Sequence, residues 1–144
     1  MTGWPILSLM IFIPLFGAII ISLIGGDEKN VFNNSRIVAL WTSLVVLLLS
    51  ILAWITIPSD GNFYFVEEID FISSIGLSYR LGIDGISLVF ILLSTFLIPL
   101  CILISWKSIT YRVREYMILF LILETLLIGT FCALDLILFY IFFE

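Results

Sequence analysis

Long apolar runs alternate with short polar stretches along this chain, and their spacing predicts its elements. Four runs, Ile6–Ile24, Ile37–Ile57, Gly85–Trp106 and Tyr116–Leu134, are apolar almost throughout. A helix needs about 20 apolar residues to cross a hydrocarbon core of roughly 30 Å, and each run meets that length. A fifth run begins at Leu136 and stops at Glu144. As a helix it would rise only about 13 Å, less than half of the core. The pattern predicts an all-α integral membrane protein: a helical bundle of four complete transmembrane helices plus a truncated fifth, within a single membrane domain of residues 1–144. Because a chain terminus left in lipid is costly, the sequence is expected to be the N-terminal piece of a longer protein.

The widest gap between runs, residues 58–82, reads differently. It carries Asp60, Glu67, Glu68 and Asp70 against a single Arg80. FYFVEEIDF and GLSYRL within it are rich in aromatic and β-branched residues and are separated by Ser73, Ser74 and Gly76. That pattern predicts either a small outer β-hairpin or an irregular loop lying on the headgroups.

Composition narrows the class. The chain is 62% apolar and only 12% charged, whereas an ordinary soluble domain carries about a quarter charged residues. A soluble fold is thereby excluded. Met1–Pro5 has no Lys or Arg, and no small-residue cleavage site follows the first run, so that run is not a cleaved signal peptide. No Arg-rich transit sequence precedes it either. The protein is expected to be made where it is inserted, in a bacterial plasma membrane or a mitochondrial inner membrane. The net charge of −5 gives no footing for nucleic acid. Histidine is absent, and Cys101 and Cys132 sit in apolar runs without CxxC spacing. They read as packing residues, and no metal or cofactor site is expected.

Orientation follows from Lys and Arg in the loops. The first loop has Lys29 and Arg36, the third has Lys107, Arg112 and Arg114, and the acidic loop has only Arg80. The first and third loops are therefore expected inside, with the N-terminus and acidic loop outside. Trp4, Trp41, Trp54 and Trp106 fall near span ends, as interfacial aromatics do. Pro14 and Pro99 should distort their helices, as packing kinks or as hinges. Asp84 and Asp135 stand where N-caps are needed.

Two acids stand inside apolar runs, Glu124 and Glu144. An ionised carboxylate at mid-bilayer costs about 2.5–3.5 kcal/mol on insertion scales, so such residues usually serve a task. Glu124 lies roughly 12 Å beyond Tyr116 along a helix, and Glu144 roughly 13 Å beyond Asp135. Both carboxyls are expected near the midplane, on consecutive antiparallel helices. Glu124 has Phe120, Leu121, Leu127 and Ile128 at the i±3 and i±4 positions, so any cation must come from another helix. These acids suit proton relay; the bland reading is interhelical hydrogen-bonding glue.

Three segments carry a resemblance. SYRLG with LGIDGISLVFILLSTFLIPLCILISW (Leu81–Trp106), and REYMILFLILETLLIGTFCALDLILFYIFFE (Arg114–Glu144), resemble subunit M of proton-pumping NADH:quinone oxidoreductase, chain 4 in mitochondria. Its relatives are subunits of multisubunit cation/proton antiporters and of membrane-bound hydrogenases. The resemblance implies an antiporter-like membrane-arm subunit with inverted helical repeats, translocating protons as quinone is reduced. It implies that the glutamate ending FFE, here Glu144, pairs with a lysine on a later helix, and that Glu124 matches a family acid. Lys29 and Lys107, the only lysines, sit at interfaces, so this stretch alone is not expected to pump. It also implies that NAD, FMN, iron–sulfur clusters and quinone bind other subunits, and that the partners are membrane-arm subunits and the lipid bilayer. The alternative is an antiporter or hydrogenase subunit.

The loop charges make one expectation directly testable. Cysteine-accessibility labelling at Glu67 or Glu68 should find the acidic loop on the outer side, and labelling from the cytoplasmic side would reverse the topology.

Overall fold

A computed structural model describes residues 5–57, 62–72, 74 and 76–144. Trp4, Asp60 and Ser73, which figure in the aromatic, acidic-loop and turn expectations, lie outside the described residues. The elements run α1 (Ile6–Leu23), α2 (Glu28–Thr56), β1 (Tyr64–Ile72), β2 (Leu77–Ile83), α3 (Gly85–Ser108), α4 (Val113–Cys132) and α5 (Leu136–Phe143). Helices α1 to α4 are each long and apolar enough to cross a membrane. The chain is a multi-pass membrane protein built as a helical bundle with one small sheet.

Helix α2 departs most from the hydropathy pattern, beginning at Glu28 instead of Ile37. Hydropathy marks the part of a helix that meets lipid, not the part that is helical. Over the polar extension EKNVFNNSR, Val31 and Ser35 are buried one turn apart while Asn33 and Asn34 are exposed. One packed face and an acid in the first turn, Glu28, suffice to continue the helix. Its 29 residues reach about 43 Å, more than a bilayer core.

Helix α4 is the hub, touching α1, α2, α3 and α5. Buried apolar side chains form two clusters, one toward each end of the bundle. The first holds Leu7, Met10, Ile11, Val46, Ala53, Ile91, Ile128 and Cys132, with Leu81 and Ile83 of β2. The second holds Ala18, Ile21, Ala39, Ile98, Ile102, Val113, Met117 and Leu121. Large apolar residues such as Phe16, Trp41, Leu48, Ile104 and Leu119 cover the outside, the arrangement expected where lipid is the solvent.

Close helix contact uses small residues. Along α2 the buried positions include Ser35, Ala39, Ser43, Ser50 and Ala53. Ser35, Ser43 and Ser50 return their hydroxyl protons to the carbonyls of Val31, Leu40 and Leu47, so these three hydroxyls are satisfied within α2. Ser50 Oγ also meets Thr95 Oγ1 at 2.9 Å, tying α2 to α3. Pro14 and Pro99 are both buried within uninterrupted helices. Each leaves the carbonyl four residues earlier, Met10 or Thr95, without an intrahelical donor.

The acidic loop folds as an antiparallel hairpin, with Glu68 opposite Arg80 and Asp70 opposite Ser78. Isolated hairpins are marginal, but this one is held by the bundle. Leu134 N–H donates to Arg80 O at 3.0 Å, and Leu81 bridges Ala133 at the α4–α5 turn.

A close approach between α1 and α2 tests this packing. A Cβ at Gly17 would lie 2.7 Å from Thr42 Cγ2 and Oγ1, and β-branched Thr42 cannot swing away. Gly17→Val is therefore expected to push α1 from α2 and cost about 1–3 kcal/mol, measured as a lower thermal-unfolding midpoint; an unchanged midpoint would show that this contact is slack.

Candidate functional site

Glu124 sits on the face of α4 that points into the bundle, and its exposure is 0%. The positions one turn to either side, Leu121 and Ile128, belong to opposite apolar clusters. The acid therefore occupies the seam between them. Along each long helix the stretch between the two clusters includes buried small or polar residues: Gly17 beside Pro14 in α1, Ser43 in α2, Thr95 in α3 and Thr125 next to Glu124 in α4. Thr125 Oγ1 donates to Leu121 O at 3.1 Å. Among the described residues neither carboxyl oxygen of Glu124 has a hydrogen-bond partner.

Glu144 follows α5 and is exposed, with its backbone N–H donating to Tyr140 O at 2.9 Å. Helix α5 packs on α4 and on β2 and buries none of its own residues. Gly129 allows the approach, since a Cβ there would meet the Phe142 ring at 2.5 Å. The two acids stand at nearly equal distances, about 13 Å along their helices, from the α4–α5 turn. They lie on packed helices, but one faces the bundle interior and the other its outside.

Among the described residues no Lys or Arg pairs with either acid. All six Lys and Arg lie near helix ends or on the hairpin. Arg36 Nη2 donates to Ile109 O at 2.7 Å, just past the end of α3, and its guanidinium lies 5.9 Å from the Trp106 ring. Arg114 donates to Ser22 O at the end of α1, and Lys107 is in the last turn of α3. Arg112 pairs with Glu115 at 2.8 Å. Arg80 pairs with Glu68 on the hairpin. Lys107, Arg36 and Arg114 thus stand where α3 and α1 end and carbonyls carry partial negative charge, while Lys29 and Arg112 stand where α2 and α4 begin, beside Glu28 and Glu115.

Acids gather at the opposite end, where α1, α3 and α5 begin. Asp84 accepts from Ser87 N–H at 2.8 Å, and the Ser87 side chain and amide together hold its carboxyl below the usual carboxylate range. Asp135 accepts from Ile137 N–H at 3.1 Å and from Ser78 Oγ at 3.2 Å.

Sequence reasoning missed Glu67, which it counted only as loop charge. Glu67 caps α1 from 60 residues away: Leu7 N–H donates to Oε1 at 2.9 Å and Ser8 N–H to Oε2 at 3.3 Å. Ser8 Oγ also donates to Oε2 and meets Tyr79 Oη at 3.1 Å. Partial burial pushes the Tyr79 phenol up. A signal existed. Helix α1 starts after Pro5, with no capping side chain and no acid in its first turn, so its free N–H groups needed a distant acceptor.

Among the described residues no group of His, Cys, Asp and Glu could hold a metal ion. Cys101 and Cys132 are free thiols.

Residues 8–130 match the family model described as NADH-ubiquinone oxidoreductase chain 4, amino terminus. The chain is 43% identical over 139 residues to NADH-ubiquinone oxidoreductase chain 4 of Marchantia polymorpha, covering 96% of this chain and 28% of that protein. It is 45% identical over 141 residues to NADH-quinone oxidoreductase subunit M of Rhodobacter capsulatus, covering 96% and 27%. With subunit M of Rickettsia prowazekii (strain Madrid E) the identity is 37% over 141 residues, covering 97% and 29%. The chain thus spans less than a third of the length of these relatives.

Burying an unpartnered carboxyl costs stability, and an apolar side chain of similar size would not incur that cost. Glu124→Leu is therefore expected to leave the thermal midpoint of this chain unchanged or higher. A drop of several degrees would reveal a partner for the carboxyl.

Proposed function

We propose that this chain, which belongs to the NADH-ubiquinone oxidoreductase chain 4 family, forms part of a proton-translocating membrane-arm subunit of NADH:quinone oxidoreductase, with Glu124 and Glu144 on the proton path. The observation that carries this reading is Glu124: a fully buried carboxyl without a hydrogen-bond partner among the described residues, in a seam of small and polar groups, with every Lys and Arg remote. A carboxyl kept as interhelical glue would need a partner, and it has none there.

The chemistry follows from the medium. An isolated carboxylate in hydrocarbon is costly, whereas one beside a cation is stabilised. The protonation of such a group therefore follows the position of the nearest positive charge. Moving a cation toward Glu144 and away again would release and recapture its proton. Glu124, across the α4–α5 contact at similar depth, would be the neighbouring station. The hydroxyls of Ser43, Thr95 and Thr125 donate to the carbonyls of Leu40, Leu92 and Leu121, and their oxygens can still accept.

In this reading NAD, FMN, iron–sulfur clusters and quinone bind other subunits, and the chain's partners are membrane-arm subunits and lipid. The membrane is the bacterial plasma membrane or the mitochondrial inner membrane, with the hairpin outside. The relatives' names support quinone-linked coupling over a separate cation/proton antiporter or membrane-bound hydrogenase.

The test is Glu144→Gln in the full-length protein, measured as NADH:quinone turnover and proton pumping in membranes with matched complex content. Gln keeps size and hydrogen bonding but cannot ionise, so pumping should fall severely with assembly intact. Glu124→Gln should be milder, because water or a neighbouring acid can bridge a lost station. Asp135→Asn should be milder still, since Asn also caps a helix. Near-normal pumping in Glu144→Gln would leave that glutamate a structural residue.

A further inference from the structure

The hairpin touches two places that are far apart in sequence. Through β1, Glu67 holds the first turn of α1 by the amides of Leu7 and Ser8 and by the Ser8 hydroxyl. Through β2, Tyr79 reaches the same Ser8 hydroxyl, while Arg80 O accepts from Leu134 N–H and Ser78 donates to Asp135. Leu81 bridges Ala133 in the same stretch. At Gly82 a Cβ would meet Leu134 Cδ1 at 2.7 Å, so strand and turn are in direct contact. Residues 133–135 are the whole connection between α4 and α5.

The strand is shaped for this. Its register shifts between Tyr64 and Glu67, where Phe65 has φ 53°. Beyond the shift Glu67 faces α1 and Glu68 faces outward to pair with Arg80. Bulges re-aim side chains in this way.

From this geometry we infer that Glu67 is a positioning residue: it locks the hairpin onto α1, and the locked hairpin fixes where α5 begins, and with it the placement of Glu144. Helix α5 lies along α4, with Leu138 and Phe142 partly buried against the first cluster, and β2 is the element that meets its first residues, through Ser78 and Asp135. The bearing on Glu144 rests on the function proposed above, whereas the mechanical link does not.

Hydrogen exchange in the intact full-length complex tests the link. Glu67→Ala should speed exchange roughly five- to tenfold, the range of a lost helix cap, in peptides covering residues 5–12 and also 132–139. Peptides from the middle of α2 and α3 should be unchanged. Glu67→Gln, which keeps one acceptor oxygen, should recover most of the protection in both regions. Glu68→Gln, which breaks only the exposed pair with Arg80, should change neither. Ser8→Ala should act as Glu67→Ala does but more weakly, and it serves if Glu67→Ala does not assemble. The inference is overturned if exchange rises only in residues 5–12, or if Glu68→Gln loosens both regions equally. Proton yield per NADH gives the second readout: Glu67→Ala should lower it at least twofold at matched complex content, with Glu67→Gln restoring it. Loss of the exchange link alongside an inactive Glu144→Gln would sink the positioning role and spare the proposed function; an intact link with fully active Glu144→Gln would do the reverse.

Discussion

Helix ends are the constraint on which this structure depends. A spanning helix leaves N–H groups free at one end and carbonyls at the other, and hydrocarbon offers them nothing. Here charge is sorted to meet that demand. Glu67, Asp84 and Asp135 supply acceptors where α1, α3 and α5 begin, while Arg36 and Arg114 donate to carbonyls where α3 and α1 end. The loop-charge asymmetry that sets orientation and the capping that completes the helices are carried by the same side chains. Moving one of these residues to the other end would offend both requirements.

Glu124 stands out against that economy. Apart from Glu144 on the outside of α5, every other described acid lies at a helix end or on the hairpin, and this one is buried at mid-depth with its oxygens unpartnered among the described residues. A bundle selected for stability alone would place leucine there. Between the two apolar clusters the long helices also bury Gly17, Ser43, Thr95 and Thr125.

Much of this was legible in the chain. Lipid imposes a length and a polarity on helices, so the spans α1, α3 and α4 fall within a few residues of the hydropathy runs. Asp84 and Asp135 were readable as caps because a local cap lies beside the helix it serves. Glu124 and Glu144 were conspicuous as charges in apolar runs. The illegible parts are those fixed by partners distant in sequence. The extension of α2 to Glu28 depends on packing by Val31 and Ser35, not on hydropathy. The role of Glu67 depends on a helix 60 residues earlier, and no local pattern distinguishes it from Glu68. The inward and outward facing of Glu124 and Glu144 likewise emerges only once the helices are assembled.

The two apolar clusters, taken with the two prolines, have a mechanical meaning. Above and below the seam the helices are gripped by dense contacts among Leu, Ile and Val. At the seam, α1 and α3 each lack one rung of their backbone ladder, and the hydroxyl pair between Ser50 and Thr95 is a cross-tie between α2 and α3 close by. The backbone ladders of α1 and α3 are therefore interrupted near the boundary between the two clusters, not at the helix ends. A load that bends α1 or α3 would meet one backbone hydrogen bond fewer in each helix there, between two clusters that hold the helices on either side.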